Sequence, residues 1–194
     1  MLGNDPMVME FRKRWESLGG RVRLADGQEA LLEACQDACR EALPDPGVEK
    51  SRHTVVYWND PDTPHLDWRS IMGNREDINW VAWEPTEQIR EATAGAILGI
   101  TGCAWAASST GSVALYSSPS TGLLPSVLAP AHMVLIARDR LVASVADGLA
   151  RIRAGALPPL VKIITGPSMT ADIEGILVTG VHGPGQILAV IYDL

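Results

Sequence analysis

The first 50 residues alternate between helix-like and strand-like spacing of their apolar side chains. Residues 8–18 have apolar side chains every three to four positions, which predicts an α-helix with one apolar face. Residues 22–24 alternate apolar and basic side chains and predict a short strand. Residues 27–43 predict a second helix, which the prolines at positions 44 and 46 end. The sequence therefore predicts a helical N-terminal part over residues 1–50.

From residue 96 onward, short apolar runs alternate with Gly, Ser, Thr and Pro. Such runs are typical of strands buried on both faces, and their sequences are AILGIT, SVALYS, HMVLIA, LVKIIT and QILAVIYD. Residues 141–153 have helical spacing between HMVLIA and LVKIIT, which predicts strand, helix, strand. HTVVYW (53–58) predicts one more buried strand, and Pro85 suits the first turn of a helix. The pattern predicts an α/β fold with a mostly parallel sheet flanked by helices.

Length, composition and charge narrow the function classes. The 194 residues include 23 acidic and 16 basic side chains, and the net charge is −7. A chain of this size and composition predicts one globular domain over residues 1–194. Because the basic residues do not cluster, nucleic acid and anionic membranes are poor partners. The sequence has no GxGxxG, GxxxxGK[ST] or GxSxG motif, so it does not support dinucleotide, P-loop or hydrolase-elbow chemistry.

The first residues of the chain indicate where in the cell the protein is located, and its cysteines indicate whether it binds a metal. No run of about 18 apolar residues is present, and the first residues lack the basic-then-apolar pattern of a secretory signal, which predicts a cytoplasmic protein. Cys35 and Cys39 lie four apart on the second predicted helix, where we expect ordinary thiols and no metal. A surface metal site around His53 and His65 is a weaker alternative.

The segment TGPSMTADIE (165–174) directly follows the predicted strand LVKII. Gly166, Ser168 and Thr170 there form a turn able to aim backbone N–H groups and hydroxyls at an anion. The alternative is structural: Ser168 or Thr170 caps a helix whose first turn is stabilised by Asp172 and Glu174. Spacing alone leaves both interpretations open.

Two further turns contain candidate residues. In GVHGPG (180–185), His182 could act as an acid or base beside Gly183, although a histidine in a turn also serves in hydrogen bonding and packing. In SSTGS (108–112), Thr110 and Gly111 allow a ligand to approach the backbone closely, although a tight surface turn has the same composition.

Four motifs together resemble the LUD (lactate-utilization) domain family. They are TGPSMTADIE (165–174), GVHGP (180–184), SSTGSVAL (108–115) and SVLAPAHMVLI (126–136), and they define a motif-bearing α/β core over residues 96–194. Within the family, the chain is most similar to the lactate utilization protein C type. The resemblance implies a modified Rossmann-like sheet similar to those of ribose-5-phosphate isomerase, the CoA-transferases and formyltetrahydrofolate cyclo-ligase.

The resemblance also implies a function. It implies a subunit of a cytoplasmic system that oxidises L-lactate to pyruvate together with iron–sulfur partner subunits, with no cofactor held by this chain. In this hypothesis Asp172 or His182 accepts the proton and the Ser168/Thr170 turn holds the substrate carboxylate. One alternative is a cofactor-free isomerase or transferase acting on a phosphorylated or CoA-ester substrate. Another is a non-catalytic assembly or regulatory subunit that uses the tryptophan-rich residues 58–83 as a contact surface.

Three positions depart from the pattern expected of the family. Met169 and Leu123 stand where arginines are expected, and Ser109 stands where an acidic residue is expected. An arginine provides a planar fork suited to carboxylates and phosphates. The three departures therefore count against binding of an anionic substrate by this chain and favour a divergent or degenerate site.

Overall fold

The computed structural model describes residues 1–46, 52–60, 63–153, 157–171 and 177–194. A six-stranded, wholly parallel sheet has the strand order β1-β12-β7-β4-β2-β3. Its strands are β1 (Arg21–Asp26), β2 (His53–Tyr57), β3 (Ile78–Ala82), β4 (Ala96–Thr101), β7 (Ala131–Ala137) and β12 (Gln186–Asp193). The predicted α/β class with a mostly parallel sheet is confirmed.

A second sheet and a hairpin stand beside the parallel sheet. The second sheet has the order β8-β5-β6-β9 and contains β5 (Trp105–Ala107), β6 (Ser112–Tyr116), β8 (Leu141–Val142) and β9 (Val161–Thr165). The hairpin pairs β10 (Met169–Ala171) with β11 (Leu177–Thr179). The α-helices of the described ranges are α1 (Pro6–Ser17), α2 (Gln28–Ala42), α3 (Trp68–Ile71), α4 (Glu87–Ala94), α5 (Pro125–Leu128) and α6 (Val145–Arg153).

Strands β7 and β12 lie in the middle of the molecule and are buried on both faces. Met133 and Leu135 of β7 pack into the apolar cluster under α2, while Val134 and Ile136 pack into the cluster under α1. Successive side chains of a strand point to opposite faces, so a strand covered on both sides needs apolar residues at every position. This requirement explains the continuous runs HMVLIA and QILAVIYD.

The two long helices follow their sequence signals closely. Asp5 caps α1 by accepting hydrogen bonds from the backbone N–H groups of Met7 and Val8, and Pro6 occupies the first turn. On the opposite side of the sheet, α2 buries small residues that let it approach the strands, among them Cys35 and Cys39. Burial raises the pKa of the Cys35 thiol to about 12 and raises that of Cys39 as well, so both are protonated core side chains.

Two predicted strands lie outside the parallel sheet. SVALY and VKIIT form β6 and β9, which pair with each other in antiparallel orientation in the second sheet. The expectation that all five apolar runs are buried on both faces is wrong for β9, because Ile163 is 41% exposed and its neighbours are only half-buried. The stretch after HMVLIA is strand, helix, strand as expected, but its second strand joins the other sheet.

Two predicted helix starts are also wrong. Residues 169–171 form a strand, because their backbone pairs with residues 177–179, so neither Ser168 nor Thr170 begins a helix there. Helix α4 begins at Glu87, since the Thr86 hydroxyl caps it by accepting from the N–H of Ile89, and Pro85 lies before the cap.

The tryptophan-rich segment contributes mainly to the core. Trp58, Trp68 and Trp80 are each less than 10% exposed, and the rings of Trp68 and Trp80 stack at 5.9 Å between centroids. These side chains therefore do not form an exposed surface for contact with a protein partner. Within the same described ranges, no three His, Cys, Asp or Glu side chains converge as metal ligands, and no helix is long and apolar enough to cross a membrane.

Gly99 permits the close contact between β4 and α5. A Cβ atom at Gly99 would lie 2.0 Å from the carbonyl oxygen of Pro125, a backbone atom that cannot rotate away. We expect Gly99→Ala to lower the free energy of unfolding by about 1–3 kcal/mol, which corresponds to a fall of roughly 2–4 °C in melting temperature per kcal/mol. Gly3→Ala, which has open space around the new methyl group, is the control. Equal melting temperatures of the two variants would contradict the close contact.

Candidate functional site

The two glycine-rich turns singled out in the sequence contact each other. The backbone N–H of Ser168 donates to the carbonyl oxygen of Pro184 at 2.8 Å, and that of Gly180 donates to the carbonyl of Ser168 at 2.8 Å. A Cβ atom at Gly183 would lie 3.3 Å from the Cβ of Ser168, so glycine allows this approach. The N–H groups of Gly185 and Gln186 both donate to the carbonyl of Pro130, which holds the second turn at the start of β12.

A cavity of about 210 Å³ lies against these turns. His132 and Ile187, the second residues of β7 and β12, line its floor, so the cavity is at the amino ends of the central strands. We call it the amino-edge cavity. Its other lining residues are Ser126, Lys162, Ile163, Ile164, Thr165, Gly166, Ser168, His182, Gly183 and Pro184.

Four of the residues predicted from sequence line this cavity together. Gly166 is buried, Ser168 and Gly183 are half-buried, and His182 is exposed. The backbone of Thr170 belongs to β10. The side chain of Thr170 and the whole of Asp172 lie outside the described residues.

Thr110 and Gly111 are near the cavity without lining it. The hydroxyls of Thr110, Ser112 and Thr165 form a chain with O···O distances of 2.7 Å at each step, and Thr165 reaches the cavity wall. Gly111 has a φ of +64°, and a Cβ atom there would lie 2.8 Å from the backbone nitrogen of Trp15. The close approach to the Gly111 backbone is therefore made by helix α1.

Lys162 supplies the positive charge of the amino-edge cavity. Its Nζ donates to the carbonyl oxygen of Ser126 at 2.5 Å and to the Ser126 hydroxyl at 3.1 Å. Partial burial lowers the pKa of Lys162 to about 8, because removing water disfavours the charged form. Sequence reasoning missed this residue, although a lone lysine within the apolar run LVKIIT is an available signal.

His132 is a second residue that sequence reasoning missed. It is 1% exposed, and its Nε2 lies 2.9 Å from the Oγ1 of Thr101, which is also buried. Burial, together with the nearby charge of Lys162, lowers the pKa of His132 to about 3, so the imidazole is neutral at pH 7. Its Nδ1 is buried without a hydrogen-bond partner among the described residues. Buried polar atoms normally have partners, which makes this nitrogen a candidate ligand contact.

These groups together suit a small anionic ligand. An ammonium has three donors, and Lys162 uses two on Ser126 within the described part of the chain. The Ser168 hydroxyl adds a neutral donor, and the neutral His132 can donate or accept through Nδ1. The arrangement can bind a carboxylate and hydrogen-bond a neighbouring hydroxyl or carbonyl group.

The cysteines do not fit an iron–sulfur cluster. Such clusters are held by four thiolates, and the chain has three cysteines, of which Cys35 and Cys39 are buried on α2 as protonated thiols. Cys103 follows β4, at the other end of the sheet from the amino-edge cavity.

The buried His132 makes folding stability sensitive to acid. Its pKa is lower in the folded chain than in the unfolded chain, so the unfolded chain binds more protons and stability falls as pH drops below about 6.5. We expect His132→Asn to lose less stability between pH 6.5 and 4.5 than the unchanged protein, by roughly 2–3 kcal/mol at about 1.4 kcal/mol per pH unit. Urea unfolding at a series of pH values measures this difference. Parallel pH profiles for the two proteins would refute the neutral buried state of His132.

Comparisons with known proteins agree with this fold and these motifs. A protein from Halalkalibacterium halodurans called lactate utilization protein C is 32% identical over 76% of this chain, which spans 66% of that relative's length. Lactate utilization protein C 1 from Bacillus mycoides is 30% identical over 99% of this chain and 81% of its own length. A crystal structure of a DUF162 family protein from Deinococcus radiodurans superimposes with a TM-score of 0.63, covering 96% of each chain at 20% identity, and so supports the fold. The sequence profile of the LUD domain matches residues 8–192. The chain is therefore a member of the LUD domain family.

Proposed function

We propose that this protein acts in lactate utilization, as a subunit that binds a small 2-hydroxy or 2-oxo carboxylate in the amino-edge cavity. Two curated relatives that bear the name lactate utilization protein C support this role. In this proposal the system is cytoplasmic and oxidises L-lactate to pyruvate. Iron–sulfur clusters in partner subunits take up the electrons.

The observation that supports the proposal most is the position of the Lys162 ammonium in the cavity. Lys162 lies in a cavity of about 210 Å³, within hydrogen-bonding distance of Ser126. Its positive charge contributes to the lowered pKa of His132. That volume is below the roughly 300–1,000 Å³ of sites for drug-sized ligands, so it favours a ligand of a few carbon atoms. In a chain that has Met169 and Leu123 where arginines are expected, Lys162 provides a positive charge.

The ligand contacts follow from the chemistry of the lining. Lys162 and the Ser168 hydroxyl bind the carboxylate, and the Nδ1 of His132 hydrogen-bonds the 2-hydroxyl or 2-oxo oxygen. A histidine with a pKa of about 3 is a weak base at neutral pH, so His132 serves as a hydrogen-bond partner. His182 at the exposed side and Asp172 beyond the described residues stay predictions for the proton acceptor.

The electrons that are removed from lactate must be accepted by other components of the system. Oxidation of lactate to pyruvate removes two electrons and two protons, and amino-acid side chains of these types do not store an electron pair. The cysteines of this chain do not fit a cluster. Partner subunits with redox centres therefore complete the reaction in this proposal.

The alternative of a self-sufficient enzyme for CoA esters has less support at this cavity. A CoA ester is far larger than a cavity of about 210 Å³ accommodates. The small volume favours the carboxylate.

We expect Lys162→Met to weaken binding of L-lactate and pyruvate. The substitution keeps an unbranched side chain but removes the charge, and a hydrogen bond to a charged group contributes about 1.5–3 kcal/mol, so the dissociation constant rises roughly 10- to 150-fold. Isothermal titration calorimetry of the purified protein measures this change. Lys13→Met removes an exposed lysine from α1 and is the matched control, for which we expect no change.

Two outcomes would contradict the proposal. One is equal affinity of the Lys162→Met and Lys13→Met variants for both acids. The other is turnover of a sugar phosphate or CoA ester by the isolated chain without any partner, which would establish a self-sufficient enzyme instead.

The pKa of Lys162 predicts how binding depends on pH. Below about pH 8 the ammonium is charged and attracts a carboxylate, and above pH 8 it loses its proton, so affinity falls as pH rises. We expect the dissociation constant for L-lactate to increase roughly tenfold between pH 7 and pH 9. Calorimetric titrations across this range test the direction and size, and an affinity that stays constant or rises would exclude Lys162 as the charged contact.

A further inference from the structure

A second cavity lies at the opposite edge of the parallel sheet, where the strand order changes direction. β2 and β4 are hydrogen-bonded neighbours, but the chain after β2 leads to β3 on one side and the chain after β4 leads to β7 on the other. The two connections diverge and leave a crevice at the carboxyl ends of the strands. Open α/β sheets bind their ligands in crevices of this kind.

The crevice contains a cavity of about 370 Å³. Trp58, Asp60 and Thr63 line it from the connection after β2, and Gly102, Cys103 and Ala104 line it from the connection after β4. We call it the carboxyl-edge cavity. Its volume is within the range of about 300–1,000 Å³ that is usual for small-molecule sites.

The lining has an excess of positive charge. Arg140 comes from the turn after β7, and Arg151 comes from α6, where both Nη atoms donate to the carbonyl of Asp139 at 3.4 Å. Asp60 is the lone carboxylate among the lining residues, all of which belong to the described part of the chain. Burial raises the pKa of Cys103 to about 12, the charges of Arg140 and Arg151 oppose this rise, and the Asp139 carboxylate adds to it, which places both guanidinium groups and that carboxylate near the thiol.

Hydroxyl groups also line the carboxyl-edge cavity. Ser118, Ser120 and Thr121 form a tight turn after β6, with the Ser118 hydroxyl 3.1 Å from that of Ser120 and 2.7 Å from that of Thr121. Arginine forks together with serine and threonine hydroxyls are the groups that recognise phosphate. The lining therefore contains the kinds of group that bind a phosphate.

The remaining wall is aromatic and fixed in place. The indole N–H of Trp105 donates to the hydroxyl of Tyr116 at 2.8 Å, and the indole N–H of Trp58 donates to the carbonyl of Gly122 at 2.8 Å. These bonds hold the rings in one orientation before any ligand arrives. Fixed aromatic surfaces favour a flat, apolar partner.

We propose that the carboxyl-edge cavity binds a phosphate monoester attached to a planar ring, a ligand of mononucleotide type. Arg140, Arg151 and the hydroxyl turn contact the phosphate, and Trp58 and Tyr116 contact the ring. The site is separate from the amino-edge cavity and shares no lining residue with it.

The test uses AMP, FMN, ribose 5-phosphate and inorganic phosphate as probes in calorimetric titrations of the full chain. We expect saturable binding of AMP or FMN that is at least tenfold tighter than binding of ribose 5-phosphate and inorganic phosphate, the two probes without a planar aromatic ring. Arg151→Gln weakens that binding tenfold or more, and Arg151→Lys, which keeps the charge but not the fork, weakens it less. Arg40→Gln, which removes an arginine of α2 that is 61% exposed, leaves the affinity unchanged.

The variants also separate this proposal from the proposed function. Arg151→Gln leaves L-lactate binding unchanged, and Lys162→Met leaves AMP and FMN binding unchanged. Absence of saturable AMP and FMN binding, or unchanged affinity in Arg151→Gln, overturns the site. Inorganic phosphate that binds as tightly as AMP overturns the role of the aromatic wall.

Discussion

The pairing of β12 between β1 and β7 is the constraint on which the rest of the structure depends. β12 is hydrogen-bonded along its length to both neighbours, with Leu188 opposite Arg21 on one side and Met133 on the other. This pairing joins the N-terminal part to the C-terminal core in one sheet. It also fixes the turn before β12, whose N–H groups at Gly185 and Gln186 share the carbonyl of Pro130. The position of this turn also determines where Gly183 contacts Ser168.

The chemistry of the amino-edge cavity arises from partial removal of water around two basic side chains. Lys162 keeps most of its charge at neutral pH, because its pKa falls only to about 8. His132, which is buried more completely, is neutral. A cation beside a neutral imidazole can hold a carboxylate and still hydrogen-bond a neutral oxygen next to it. That combination distinguishes the cavity from an ordinary surface turn, in which water would screen the lysine.

The two cavities lie at opposite edges of the same sheet and differ in the kind of charge they present. The amino-edge cavity has one ammonium and suits a small acid, while the carboxyl-edge cavity has two guanidinium groups, a hydroxyl turn and fixed aromatic rings. The second sheet contributes to both, with β9 on one and β5 and β6 on the other. The second sheet therefore completes two sites that the parallel sheet alone would leave open.

The sequence by itself determined the elements whose signals are local. The spacing of apolar side chains over residues 8–18 predicted the helix that the structure shows as α1, and unbroken apolar runs identified the strands that are covered on both faces. It also singled out Gly166, Ser168, His182 and Gly183, because glycine-rich turns next to predicted strands are visible in the chain itself. Only the tertiary structure decided that β9 pairs with β6, that residues 169–171 form a strand, and that Lys162 and His132 face the same cavity. Lys162 and His132 are 30 residues apart in sequence and lie in different sheets. Strand pairing and burial depend on partners distant in the chain, so spacing along the sequence holds no record of them.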